Sequence, residues 1–139
     1  MKKPAQCLLI EDDLDDQEIF LLCLKRIKQD VTCVIANNGV EALQKLKEND
    51  QYIPDVIFLD VNMPKMNGFD CLRELRSMSR LTNTRVYIYS TTSEGTVIDQ
   101  AKFLGANEYI MKPTKAAELK DKLAYIFTLW EQAGFNSTF

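Results

Sequence analysis

Short apolar runs alternate with longer stretches of helical period along the chain. Residues 6–10, QCLLI, read as a first buried strand. Between Leu14 and Lys28 the apolar positions Ile19, Phe20, Cys23, Leu24 and Ile27 recur at spacings of three and four, which predicts a helix. VTCVIA (31–36) is short and rich in β-branched residues, as a second strand should be. Asn37, Asn38 and Gly39 then turn into a helix carrying Val40, Leu43 and Leu46. Pro54 stops what precedes it and introduces a third strand, DVIFL (55–59). Residues 68–78 form a helix with Phe69, Leu72 and Leu75 on one side. RVYIY (85–89) is a fourth strand, and the helix over 94–104 ends at Gly105, a good residue just past a helix end. NEYIM (107–111) is a fifth strand. The last helix, about 115–132, shows an apolar stripe of Leu119, Leu123, Ile126 and Trp130, expected to face the core. Tyr125 and Phe127 lie beside that stripe and are expected on the surface, and 133–139 reads as a loose tail.

Five strand–helix pairs in strict alternation imply a parallel sheet with helices on both faces, because each parallel crossover needs a helix. With 139 residues and 46% hydrophobic content, the chain has the material for one core. The expectation is a single domain, 1–139, with its core over about 6–131. No internal repeat, low-complexity tract or linker interrupts it. Ligands of such folds gather at the carboxyl ends of the strands, so the residues that follow each strand carry the chemistry.

After the first strand stand Glu11, Asp12 and Asp13, then Asp15 and Asp16; after the third, Asp60; after the fourth, Ser90, Thr91 and Thr92; after the fifth, Lys112 and Pro113. After the second come only Asn37, Asn38 and Gly39, a plain turn. Carboxylates sharing a pocket raise each other's pKa unless a cation sits among them. A hard divalent ion, Mg²⁺ or Mn²⁺, suits a few carboxylates completed by water. Asp15 and Asp16 read as acids of a helix N-terminus, favoured by the macrodipole, whereas Glu11 and Asp12 precede the helix and read as metal ligands. Asp60 is a third ligand, a nucleophile, or both, since a carboxylate can attack a phosphoryl group to give an acyl phosphate. Ser90 or Thr91 could then supply a hydroxyl, and Lys112 a positive charge. The loop after the first strand is acidic and glycine-free, so it lacks the backbone cradle of nucleotide and flavin folds.

Composition narrows the chemistry further. The chain has no histidine, which removes histidine-based triads, histidine general bases and most zinc sites. The four cysteines, Cys7, Cys23, Cys33 and Cys71, are scattered among apolar neighbours and read as small buried residues kept reduced. A net charge of −3 offers no basic footprint for nucleic acid. No apolar run is long enough to span a membrane. The apolar stretch near the N-terminus ends too soon, at Glu11, for a secretory signal. A cytoplasmic location is expected.

The chain resembles the receiver domains of two-component response regulators, the flavodoxin-like CheY class, from about Gln6 to Trp130. LLIEDD (8–13) resembles the acidic-pair motif, FLDVNMPKMNG (58–68) the phosphoacceptor motif, VYIYSTT (86–92) the switch-hydroxyl strand, and GANEYIMKP (105–113) the lysine motif. The resemblance implies a (βα)5 doubly wound fold with strand order 2-1-3-4-5. It implies Glu11, Asp12 and Asp60 at a Mg²⁺ or Mn²⁺ site, with Asn62 offering a backbone carbonyl. It implies Asp60 as phosphoacceptor, Lys112 as the lysine that pairs with the phosphoryl group, Ser90 and Tyr109 as switch residues, and Asn62 and Thr92 as modulators of dephosphorylation. In this picture Ser90 moves toward the phosphoryl group and the Tyr109 ring then turns inward.

Glu11 stands where aspartate is commoner in the family, and Ser90 where threonine is usual; both keep the chemistry. The STTSEG loop (90–95), the 77–85 connection and the YIFTLW helix (125–130) resemble stand-alone regulators that partner phytochrome-type histidine kinases. The implied partners are a sensor histidine kinase or phosphotransfer protein, a downstream protein target and a phosphorylation-dependent second copy. No nucleic-acid or membrane partner is implied, and no DNA-binding output domain is expected. No enzymatic activity is expected beyond self-phosphorylation from a donor and slow autodephosphorylation. A phosphohydrolase of the haloacid-dehalogenase type shares the aspartyl phosphate. However, its nucleophile usually opens a DxD motif, and here Asn62 stands two residues after Asp60. A degenerate receiver acting only as a binding module is the remaining alternative, against which the intact acid–acid–lysine set argues.

Overall fold

The structure is a computed structural model that describes residues 3–61, 67–91 and 94–137. Its elements are β1 (Ala5–Ile10), α1 (Leu14–Arg26), β2 (Val31–Ala36), α2 (Gly39–Glu48), β3 (Val56–Leu59), α3 (Gly68–Ser77), a 3₁₀ turn (Ser79–Leu81), β4 (Arg85–Ser90), α4 (Gly95–Phe103), β5 (Glu108–Met111) and α5 (Ala116–Ser137). All strands are parallel and lie in the order β2-β1-β3-β4-β5, the flavodoxin-like arrangement.

The period-two alternation of a strand divides the core. Leu8, Ile10, Ile57, Leu59, Val86 and Ile88 face one side, where α2, α3 and α4 cover them with Leu43, Leu46, Leu72, Leu75 and Ala101. Cys7, Leu9, Val56, Phe58, Tyr87 and Tyr89 face the other, under Phe20 and Leu24 of α1 and Leu119, Leu123 and Ile126 of α5. Both faces of the central strands are therefore buried, which is why VIFL and VYIY read as unbroken apolar runs. On the second face Phe58 is the hub of an aromatic cluster. It meets Phe20 edge-on at 5.0 Å and stacks on Tyr87 at 5.5 Å.

Side chains set the helix starts. Asp13 caps α1 by accepting from the Asp16 amide (3.0 Å), and Asn38 caps α2 by accepting from Glu41 (2.8 Å). Gly105 follows α4 with φ of +107°, the left-handed conformation expected there.

The helical phase corrects several expectations. Phe127 is fully buried, while Tyr125 beside it is 66% exposed. Phe127 lies four residues after Leu123 and so extends the buried stripe, whereas Tyr125 points away from it. Trp130 is only partly buried at the stripe's end. Ile19 and Val40 are exposed, each one residue off the covered face of its helix. The backbone of α5 continues to Ser137 instead of fraying at 133. Glu131, Gln132 and Ala133 are good helix formers and no proline follows them.

Candidate functional site

The sheet ladder runs one residue beyond three strand ends and so fixes the backbone of the candidate residues. Glu11 donates its amide to Ala36 (3.0 Å), Asp60 to Ile10 (3.1 Å) and Lys112 to Ser90 (2.8 Å). Strand order brings these ends together on one edge, although they lie far apart in the chain. Glu11 is fully buried, Asp60 is buried and Asp12 is exposed, so the group opens to solvent at Asp12. Carboxylate oxygens of Glu11, Asp12 and Asp60 all lie within 4.8 Å of one another.

Lys112 reaches back into this group. Its Nζ is 2.5 Å from Glu11 Oε1, 2.9 Å from Asp16 Oδ2 and 3.0 Å from Asp60 Oδ2. The ammonium also lies 5.3 Å from the centre of the Tyr89 ring. Burial by itself would lower the lysine's pKa, but the carboxylates of Glu11, Asp16 and Asp60 outweigh it and hold the ammonium charged. At Glu11 burial prevails instead. Burial pushes its pKa up to about 7, against the opposing pull of Lys112. Among the described residues, three carboxylates thus meet one ammonium, and a fourth, Asp12, lies beside two of them. An all-oxygen donor set with surplus negative charge fits a hard divalent cation.

Asp16 corrects an expectation. It does sit in the first turn of α1, but its side chain is not simply a helix-terminus acid; it is a third carboxylate on Lys112. Nothing in the spacing of residues 16 and 112 announces this; strand order alone makes them neighbours. Gln17, also unremarked in the sequence, is buried and donates to the Glu11 carbonyl (2.6 Å) and to Asn37 Oδ1 (2.8 Å). Those bonds tie the acidic loop to the turn after β2.

Ser90 is fully buried and Thr91 exposed, which favours Ser90 as the hydroxyl of the site. The Ser90 and Tyr109 side chains are hydrogen-bonded, and Tyr109 packs against the core over β4 and α4. Burial raises the Tyr109 pKa, and the bond to Ser90 opposes that rise. The ring is partly buried beside Ser90. Asn62 and Thr92 lie outside the described residues. Gly68 lies close against Val61: a Cβ on Gly68 would come within 2.3 Å of Val61 Cα. Only glycine permits that approach.

Residues 7–124 match the response regulator receiver domain family, and the chain belongs to it. Among curated relatives it is 37% identical over 108 residues to the sensor histidine kinase CheAY of Helicobacter pylori, covering 76% of this chain and 13% of that protein. It is 33% identical over 122 residues to the probable C4-dicarboxylate response regulator DctR of Bacillus subtilis, covering 88% of this chain and 52% of that one. The chain thus spans about half or less of these relatives. Among solved structures it resembles the phosphorylated cyanobacterial phytochrome response regulator RcpA, with a TM-score of 0.84 and 26% identity over 94% of this chain and 96% of that one. The Mn²⁺-bound response regulator Rcp1 gives a TM-score of 0.79 at 26% identity, over 91% and 94% of the two chains. Among the described residues, no helix is long and apolar enough to cross a membrane.

Proposed function

We propose that this chain is a phosphoryl-accepting receiver in which Asp60 takes a phosphoryl group from a phosphohistidine of a sensor histidine kinase or phosphotransfer protein. The observation that best supports this reading is the placement of Asp60. Its carboxylate is buried at a strand tip, 3.0 Å from Lys112 and within 4.8 Å of Glu11 and Asp12 oxygens. A carboxylate oxygen of Asp60 attacks phosphorus, the P–N bond to the donor imidazole breaks, and the imidazole leaves with its electron pair. Glu11, Asp12 and Asp60, with the Asn62 carbonyl, would hold Mg²⁺ or Mn²⁺, which when bound neutralises charge on the phosphoryl oxygens. Lys112 stabilises the remaining charge. The zero histidine count fits a donor that lies on another protein.

A bound phosphoryl group adds nearly two negative charges and three acceptor oxygens. Ser90 turns its hydroxyl from Tyr109 toward it, releasing the tyrosine hydroxyl and repacking the face made by α4, β5 and α5. That face presents Phe103 (89% exposed), Met111 and Tyr125, and it is the surface for a protein target or a second copy. The likeness to RcpA favours a phytochrome-type kinase as donor. Phosphorylation and slow loss of the phosphoryl group are the only chemistry in this reading, and the cytosol is where such a donor would be met.

The test is labelling with radioactive acetyl phosphate in the presence of Mg²⁺. One acid-stable, hydroxylamine-labile label per chain is expected, and none in Asp60→Asn. Full labelling of that variant overturns the reading. Ser90→Ala should still take the label but show no label-dependent change in size-exclusion elution; a shift equal to the parent's removes Ser90 from the switch.

A further inference from the structure

The ammonium of Lys112 has three donors and three carboxylate partners, Glu11, Asp16 and Asp60. Two of these partners, Glu11 and Asp60, belong to the carboxylate cluster that fits a cation; Asp16 does not. The ammonium therefore sits on two of the carboxylates a divalent ion would use. Two positive centres a few ångströms apart repel strongly in a water-poor site. Lys112 has nowhere to retreat, because its side chain is only 9% exposed and is walled on one side by the Tyr89 ring. The one partner that leads away from the cluster is Asp16, whose side chain is 34% exposed at the first turn of α1.

The geometry points to Asp16 as a positioning residue that receives Lys112 when a divalent cation enters, so that Glu11 and Asp60 are freed for the ion while the buried ammonium stays paired. This rests on the proposed cation site and deepens it. The same tether then keeps Lys112 within reach of a phosphoryl group on Asp60 without holding it on the metal's ligands. Asp16 acts here through Lys112, not through the ion. A carboxylate that merely added negative charge nearby would raise cation affinity with or without the lysine.

That difference makes the idea testable by a double-mutant cycle on the whole chain, read by calorimetric titration with MgCl₂. Asp16→Asn should weaken Mg²⁺ binding by about tenfold, the scale of supporting residues around metal sites. Asp15→Asn, an exposed acid one residue away, should change it by no more than about twofold, as screened surface charges do. Lys112→Met should tighten binding, and adding Asp16→Asn to that background should change it by no more than about twofold. An unchanged affinity in Asp16→Asn overturns the inference. So does an equal loss in the Lys112→Met background, which would mark Asp16 as a simple charge. A parent chain that binds no Mg²⁺ contradicts the cation site itself and this inference with it, whereas binding by the parent with a flat cycle contradicts only this inference.

Discussion

At the amino ends of β4 and β5, Arg76 donates to the carbonyls of Gly105 (2.9 Å), Leu81 (3.0 Å) and Thr84 (2.9 Å) and to Asn107 Oδ1 (3.0 Å). Nearby, Asp55 accepts the Gln6 amide (2.7 Å) and Thr84 donates to the Pro54 carbonyl (2.6 Å). Arg76 and Asp55 are thus matched by fixed dipoles that fold with them. At the carboxyl ends, Lys112 is shared among Glu11, Asp16 and Asp60, and Asp12 stands beside them. Both ends bury polar groups, yet among the described residues the amino end pairs its charges mainly with backbone and the carboxyl end mainly with one another. The amino end is a polar joint that closes the fold. The carboxyl end keeps surplus charge of one sign, a donor set that fits a cation.

Removing the central cation from each end should separate the two cases. Lys112→Met leaves the carboxylates without their ammonium, and breaking a buried ion pair costs about 3 kcal/mol. Urea denaturation should show that loss in chelator and recover much of it in millimolar Mg²⁺; a loss that Mg²⁺ leaves untouched would mean the two ends do not differ in kind. Arg76→Ala orphans several part-buried acceptors and should cost about 1–3 kcal/mol. Its loss should be the same with and without Mg²⁺, and phospholabelling of the folded variant should match the parent's.

A smaller effect follows from protons. Glu11 is held protonated up to about 7 by burial, well above its ordinary 4.5. A cation must displace that proton, so affinity falls as pH drops through this range and rises as Glu11 ionises. From pH 6 to pH 8 the affinity for Mg²⁺ should rise by about tenfold, with proton release on binding. The same raised pKa means the native state holds a proton that the unfolded chain releases near 4.5. In the metal-free protein Glu11's contribution to stability therefore falls as pH rises from 4.5 to about 7. A pH-independent affinity would remove Glu11 from the ligand set.

What could be read in advance followed from periodicity. The alternation of apolar runs with helical stretches located all five strands, and the residue after each strand end picked out Glu11, Asp60 and Lys112. Ser90, whose side chain is fully buried, was found by the same rule. The pairing of Asp16 with Lys112 was not legible, because 96 residues separate them and only strand order joins them. Asp16 also satisfied a simpler local rule, an acid in a first helical turn, which concealed its longer-range role. Phe127 differs for another reason: it stands four residues after Leu123, but the spacing from Ile126 to Trp130 offers an equally good stripe, and only packing decides between them. The Tyr109–Ser90 bond depends on the side-chain packing between β4 and β5, which no spacing encodes. The role of Arg76 is not legible either, because three of its four partners are backbone carbonyls, which have no sequence signature.

The central claim is that the surplus charge at the carboxyl end serves a phosphoryl transfer to one carboxylate. Borohydride reduction tests it most directly, because it converts an aspartyl phosphate to homoserine and so marks the residue that carried the group. After treatment with acetyl phosphate and Mg²⁺, peptide mass spectrometry should find homoserine at position 60 alone. Homoserine at position 12, 13 or 16 instead, or at none of them, would contradict the account.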